Sequence, residues 1–430
     1  MDAATKSEAS SQLAALRHKF IALAGSGYAR SATAADAVAG VQPKLMIEPG
    51  TERELAEILR LSNDAGLAVI PRGGGTKLEW GNPPGRADLI VSTSRLTKII
   101  EHAWADLTVS VEAGCTIQEL QETLAQHGQR LALDPLWPGK ATIGGVLSTN
   151  DSGALRLRFG ALRDLIIGVT IALPDGTLAS SGGKVVKNVA GYDLPKLVTG
   201  ALGTLGVITR AVFRLHPLPR NTRSFSISTA DGAAMQQFVL AVQNSKLAHT
   251  SLQSHFSSDA SPVSDILFEG TEAGLAAQEA QLRKLSALAS ISEAPTSKWT
   301  AREDLWAFSD SAGTAVAKIS ILPANLARTM ELVKRAASEH QLRWKSLVYA
   351  TGLGWLRLEG EAGSLCGALQ KLRGELQGQG GSLVALHRPE KMPAFDAWGN
   401  AGDALPLMKA VKQQLDPKST LNPGRFVGGI

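Results

Sequence analysis

Cysteine is almost absent from this 430-residue chain, which carries only Cys115 and Cys366. Two thiols build neither a disulfide framework nor a four-cysteine metal site or cluster, so no resident metal is expected. Ordinary reduced thiols in a reducing compartment are the favoured reading. Aromatic residues are scarce, at 5%, and no basic cluster is interleaved with them. With a net charge of only +5, this argues against nucleic acid as a partner. Long apolar runs are lacking too. A membrane-spanning helix needs about 18–20 such residues. The longest candidate, Leu165–Leu173, closes at Pro174-Asp175-Gly176 and reads as a buried strand and turn. The N-terminus mixes Asp2, Lys6, Glu8, Arg17 and His18 with small residues, without the apolar stretch and cleavage site of a secretory signal.

What the chain does have is 44% hydrophobic residues, 19% charged residues and 43 glycines. That is a globular composition, long enough for two or three domains. Residues 1–40 predict one helix near Ser11–Ala24 and a mobile stretch. Thr51-Glu52-Arg53-Glu54 and Thr116-Ile117-Gln118-Glu119 are capping boxes, each opening a helix that a glycine ends, at Gly66 and Gly128. Strands are predicted at 67–70, 89–91, 107–111, 166–173 and 207–215. Pro217-Leu218-Pro219 marks a linker. Beyond it, strands are predicted at 222–228, 315–322, 355–359 and 382–387, and helices at 233–244, 273–289, 326–340 and 365–376. These suggest a small sheet with helices on one side, and no internal repeat stands out. The ending, with Pro417 and Pro423, reads as a tail laid over the surface.

Three segments are rich in small residues. Pro71-Arg72-Gly73-Gly74-Gly75-Thr76 follows an apolar strand. Successive glycines gather several N–H groups into a nest suited to an anion, above all a diphosphate; the alternative is a flexible turn. The segment is neither a P-loop nor GxGxxG, which argues against those nucleotide sites. Gly139-Lys140-Ala141-Thr142-Ile143-Gly144-Gly145, continuing to Gly153, allows close approach of a large planar ligand or a tight crossing of two chains. Gly200-Ala201-Leu202-Gly203-Thr204-Leu205-Gly206 sits between a helix and a strand, as a C-cap or as a cofactor floor.

In this order, the three segments resemble the FAD-binding domain of the vanillyl-alcohol oxidase/p-cresol methylhydroxylase superfamily. Adding Lys187-Asn188-Val189-Ala190-Gly191-Tyr192-Asp193-Leu194 and Asn422-Pro423-Gly424-Arg425, the whole chain is similar to the GlcE-type FAD-binding subunits of glycolate oxidase. The resemblance implies an α+β fold. A two-subdomain FAD-binding domain over 41–220 would be followed by a smaller α+β cap over 221–410, with a C-terminal tail over 411–430. It implies that Arg72, Gly73, Gly74, Gly75 and Thr76 meet the pyrophosphate. Thr142, Gly144, Gly145 and Gly153 would lie near phosphate and isoalloxazine, and Gly203, Gly206 and Ile208 near the adenosine and ring. The cap would cover one flavin face and supply the substrate pocket.

Three departures shape the expectation. Thr76 stands where relatives with covalent flavin carry histidine, so FAD is expected to be held non-covalently. Ala201-Leu202 replaces a polar pair. The H-x-G-D-G-N-x-H segment of the 2-hydroxy-acid branch is missing from 220–430, which argues against an autonomous glycolate site. The implied role is oxidation of glycolate to glyoxylate within a complex. Electrons would pass through flavin to an iron–sulfur subunit beside a companion flavin subunit. The complex would be cytoplasmic, or peripheral at the inner membrane face through its partners. The alternatives are a self-sufficient dehydrogenase or oxidase for a small 2-hydroxy acid or alcohol, and a non-catalytic FAD-binding scaffold.

A hydroxy acid needs a cation for its carboxylate and a base for its hydroxyl. His387-Arg388 is the compact pair in the cap that offers both; the alternative is a solvated strand end. Trp137-Pro138 reads as a pocket wall or a core residue. Asp193 is expected as an N-cap with Tyr192 beside it, and Arg163-Asp164 as an ion pair bracing a strand.

Overall fold

The computed structural model describes residues 3–183, 192–286, 289–308 and 313–430, without the side chains of 3–12 and 14. The expected motif stretch 187–191 lies outside these residues. Contacts divide the chain into two compact units. The first holds Met1–Ser152, Ala161–Leu218 and Asn400–Ile430, and the second Gly153–Gly160 and Pro219–Gly399.

In the first unit, the N-terminal helix is longer than expected, Ala3–Ala24. It buries Leu13, Phe20 and Ala24 in one core with Ile47, Leu55, Ile58, Val69 and Leu89. The strand Ala29–Ser31 pairs with Leu45–Ile47, so the stretch expected to be mobile is ordered in part. Leu45–Ile47, Leu89–Ser92 and Val69–Arg72 then run parallel to one another. The helix Glu52–Asp64 starts where Thr51 accepts the amide of Glu54. Glu54 reaches back to the Gly50 amide, one residue earlier than a full capping box requires. At Thr116 both halves of the box form. A five-stranded antiparallel sheet follows, in the order Ile99–Ala103, Thr108–Glu112, Val207–Arg214, Ile166–Ala172, Leu178–Gly182.

The ending does not lie over the surface. Leu421 is fully buried, and Thr420, Asn422 and Arg425 are buried with it. The amide of Val69 donates to Thr420 O at 2.7 Å and that of Asn422 to Val69 O at 3.0 Å, so 420–422 extends the parallel strands. A buried ion pair fixes this segment. Lys412 Nζ donates to Asp416 Oδ2 at 2.5 Å, to Thr204 O at 2.8 Å and to Leu421 O at 3.0 Å. Asp416 in turn accepts the amides of Thr420 and Leu421, both at 2.8 Å. One carboxylate thus satisfies two backbone donors and a cation, which lets a proline-flanked segment enter the core.

The second unit contains an internal repeat that the residues did not announce. Asn221–Ser228, Gly232–Gln243, His249–Ser257, Val263–Gly270, Glu272–Leu285 and Ser290–Glu293 follow the order β-α-β-β-α-β. Gly313–Ser320, Leu326–Glu339, Arg343–Tyr349, Leu353–Gly360, Ala362–Gln377 and Ser382–His387 repeat it. The halves meet where His249–Ser257 pairs with Arg343–Tyr349, Gln253 opposite Tyr349. The result is one eight-stranded sheet, antiparallel throughout and larger than expected. Phe225, Ile266, Leu356 and Leu383 share a core with Val239, Leu282, Val333 and Leu369 of the four helices, so the helices cover one face. No helix among the described residues is long and apolar enough to cross a membrane.

Two outcomes are expected. Removing one partner of a buried ion pair strands the other, at a cost of about 3–5 kcal/mol; Asp416→Ala should lose that much in denaturant titration. The Cys115 thiol, 1% exposed, is pushed up to about 11 by burial and then by Glu119 and Glu112, against 9.0 when unperturbed. The folded protein holds this proton more tightly, so its contribution is complete below pH 9 and lost as pH rises to 11. Cys115→Ala should flatten that part of the stability profile.

Candidate functional site

The strand Val69–Arg72 runs into the first glycine loop. Among the described residues, the amides of Gly73, Gly74, Gly75 and Thr76 donate to no acceptor. Four neighbouring free donors form a nest for an anion. The loop lies hard against the second segment. A Cβ on Gly74 would stand 1.7 Å from Lys140 O, and one on Gly73 2.1 Å from Thr142 Oγ1. Gly75 has φ +73°, where a side chain is strained. Arg72 is held from behind: its Nη1 donates to Asp36 Oδ1 at 2.9 Å. The Arg30 hydrogen bond outweighs burial and, with Thr33, holds the Asp36 carboxyl well below the usual range, so this anchor keeps its charge.

Thr142 caps the helix Ile143–Thr149, accepting the Gly145 amide at 3.3 Å. Gly144 packs on Ala113, where a Cβ would stand 2.9 Å from the alanine Cβ. The third segment docks on this helix, with Gly200 N on Leu147 O and Leu202 N on Ser148 O, both at 2.8 Å. The C-terminal strand closes the group. Asn422 Nδ2 donates to Leu202 O, while Asn422 Oδ1 is buried and has no partner. Arg425, pushed down to about 10 by burial, donates to the carbonyls of Leu78 and Trp80 and so pins the exit of the first loop.

These elements border a cleft of about 680 Å³, a figure that includes open solvent at its mouth. Arg72, Gly73, Gly74, Gly75, Thr76, Thr142, Gly144, Gly145, Gly203, Gly206 and Ile208 all line it. Gly153 does not; it is buried in the short segment Gly153–Gly160, assigned to the second unit. Sequence reasoning missed Lys77, Ser148, Asn422 and Arg425 as lining residues. Asn422 and Arg425 belong to an ending that was quoted for its wording and not placed at the site. Free amides, a cradle without room for side chains and an orphaned buried acceptor fit a dinucleotide with a diphosphate at its centre.

Other expected residues fall as follows. Asp193 caps the helix Leu194–Val198, and Tyr192 is exposed. Arg163 and Asp164 do not pair: Arg163 donates to Thr199 O and Asp164 accepts from Ala161 N. The Trp137 ring lies 5.4 Å from Lys77 Nζ, and Lys77 lines the cavity. In the second unit, His387 ends its strand and stacks on Phe308, centroids 4.2 Å apart. Arg388 Nη1 donates to Phe395 O at 2.9 Å. The same unit holds a pair that sequence reasoning passed over, His255 Nε2 at 2.6 Å from the fully buried Asp265. Burial pushes the Asp265 carboxyl up, but hydrogen bonds from His255, Ser226 and Gln253 outweigh it and hold the group below its ordinary value. His255 and Asp265 lie on adjacent strands 10 residues apart, a relation visible only once both strands are known.

Comparison with known proteins agrees with this geometry. Residues 43–182 match the FAD binding domain family, and 397–426 match the C-terminal domain of FAD linked oxidases. The chain therefore carries an FAD-binding domain, and its cofactor is FAD. D-2-hydroxyglutarate dehydrogenase of Xanthomonas citri is 27% identical over 89% of both chains. D-lactate dehydrogenase of Archaeoglobus fulgidus is 34% identical over 43% of this chain and 41% of its own length. Glycolate oxidase subunit GlcD of Bacillus subtilis is 32% identical over 42% and 39%. The chain thus spans less than half the length of the last two. Among solved structures, p-cresol methylhydroxylase superposes with a TM-score of 0.77 over 96% of both chains at 14% identity. Alkyldihydroxyacetonephosphate synthase gives 0.72 over 90% of this chain and 78% of its own, at 18% identity. The fold is the p-cresol methylhydroxylase type.

The Cβ geometry yields a direct test. Gly74→Ala drives a methyl into a backbone carbonyl and should weaken FAD binding at least tenfold, or prevent it, as read by quenching of flavin fluorescence. Gly27→Ala, where nothing lies within 4 Å, should bind FAD as the parent does.

Proposed function

We propose, from the premise that this chain carries an FAD-binding domain, that it is an FAD-dependent oxidoreductase for a small 2-hydroxy acid and serves as the FAD-binding subunit of a multi-subunit glycolate oxidase. The observation that carries the reading is the pairing of a complete dinucleotide cavity with a second unit that lacks the H-x-G-D-G-N-x-H segment. The chemistry supplied by bound FAD is acceptance of a hydride from the carbon bearing the hydroxyl.

The chain's own residues do the rest. The Gly73–Thr76 amides bind the diphosphate, and Asn422 Oδ1, otherwise unpaired, accepts a donor of the dinucleotide. Thr76 at the loop end offers no nucleophile of the histidine type, so attachment is non-covalent. In the assembled complex, where the partner subunits complete the site, His387, its ring oriented by Phe308, takes the hydroxyl proton. Arg388, aimed by the Phe395 carbonyl, takes the carboxylate. With two cysteines the chain has no thiolate set for a cluster. Electrons therefore leave for an iron–sulfur partner beside the companion flavin subunit, in the cytoplasm or against the inner membrane face through those partners.

A self-sufficient 2-hydroxy-acid dehydrogenase is the second reading. The end-to-end similarity to D-2-hydroxyglutarate dehydrogenase favours it, and His255, oriented by buried Asp265, would supply its base.

The chain purified with FAD should show flavin absorption that acid denaturation releases into solution. Anaerobic glycolate should leave the isolated flavin oxidised and reduce it once the partner subunits are added. Reduction of the isolated chain by D-lactate or D-2-hydroxyglutarate within seconds would establish the second reading instead. A chain that takes up no FAD would overturn both.

A further inference from the structure

Lysine is seldom buried unless paired, yet Lys77, one residue past the anion nest, is 7% exposed. Its ammonium is fixed on every side the structure shows. Nζ stands 3.2 Å from Asp151 Oδ2 and 3.3 Å from both Leu136 O and Thr76 Oγ1. The rings of Trp80 and Trp137 flank it at 5.7 and 5.4 Å. Asp151, itself 1% exposed, accepts the Leu136 amide at 2.9 Å and so belongs to the same frame. Trp137 holds φ +55°, which a bulky residue adopts only when its surroundings impose it. The amides of Lys140 and Ala141 both close on its carbonyl.

Such a pair is costly to bury, and apolar residues of similar volume would pack as well. Its orientation suggests a use. Among the described residues Lys77 lines the dinucleotide cavity and Asp151 does not. The pair is neutral overall, but its positive end touches a lining residue, Thr76, while Asp151, Leu136 and both indoles stand outside the lining; burial behind that wall keeps water out and so strengthens the field. A lysine held this firmly is poorly placed to move protons. It acts as a fixed charge.

We propose that Lys77 is an electrostatic tuning residue, a clamped cation that binds reduced flavin more tightly than oxidised flavin and thereby raises the flavin's reduction potential. Reduced flavin carries the more negative charge, so a cation on the wall favours it, and by linkage a preference for one redox state is a shift in potential. The inference rests on the cavity holding FAD. It adds which residue sets the flavin's electron affinity, and how Asp151 limits it.

The test is a spectroelectrochemical titration of FAD-loaded protein, with FAD affinity measured separately by fluorescence. Lys77→Met should lower by at least tenfold the ratio of reduced to oxidised FAD affinity, about 30 mV for a two-electron couple. Asp151→Asn should move the potential the other way. Lys77→Arg should restore most of the parent value. Should Lys77→Met not fold, Lys77→Met with Asp151→Leu, which leaves no buried charge, should show a smaller drop of the same sign. Variants that hold FAD at the parent potential would overturn the proposal. So would Lys77→Met that only weakens FAD binding, since the charge would then serve the diphosphate. If the parent chain binds no FAD, the reading of the cavity fails, and that outcome is separate from either.

Discussion

The first glycine loop is pressed onto a second backbone so closely that no side chain fits between them, and the rest of the first unit is arranged around that contact. The 1.7 Å that would separate a Gly74 Cβ from Lys140 O is far inside any allowed approach. Because the loop cannot fold inward, its amides stay unpaired and face the cavity. The neighbours then hold the loop in place. Asp36 tethers Arg72 at its entrance, Arg425 gathers the carbonyls of Leu78 and Trp80 at its exit, and Thr142 caps the helix beneath it. A polar nest with no internal partner is unstable by itself. Here it is the product of packing that leaves the amides nothing else to bind.

Much of this was legible in the residues, and the gaps have physical causes. The glycine loops, the caps at Thr51 and Thr116 and the amphipathic helices announce themselves because each depends on a local rule. The eleven cavity-lining residues named in advance all come from the three small-residue segments or from the start of the strand that follows the third. Gly153 lies outside that lining, in a neighbourhood also rich in small residues but belonging to a different segment. The strands His249–Ser257 and Val263–Gly270 escaped because Ser251, Gln253, Ser264 and Asp265 interrupt their apolar pattern. Gln253, Ser264 and Asp265 are buried yet hydrogen-bonded, as with Ser254 to Ser264 and Ser226 to Asp265, whereas the Ser251 hydroxyl is buried without a partner. The repeat of the second unit likewise lies in connectivity, which composition does not record.

The ending shows the same limit. Prolines at 417 and 423 with no hydrophobic period read as surface chain. What places the segment inside is the Lys412–Asp416 pair, which supplies acceptor and donor where a regular ladder would have done so. The helix bearing Lys412 is otherwise largely exposed, so its buried lysine does the anchoring that an apolar stripe does elsewhere. Charge rather than hydrophobicity fixes this part of the first unit, and charge leaves no periodic trace.

Because Asn422 and Arg425 complete a cavity whose first wall is laid down at residues 71–78, the order of synthesis matters. A nascent chain on the ribosome has its nest hundreds of residues before it has the strand that closes it. The lining of the cavity is therefore complete only once residues 422–425 have been made. Until then the glycine loop stands without the support that Arg425 gives its exit.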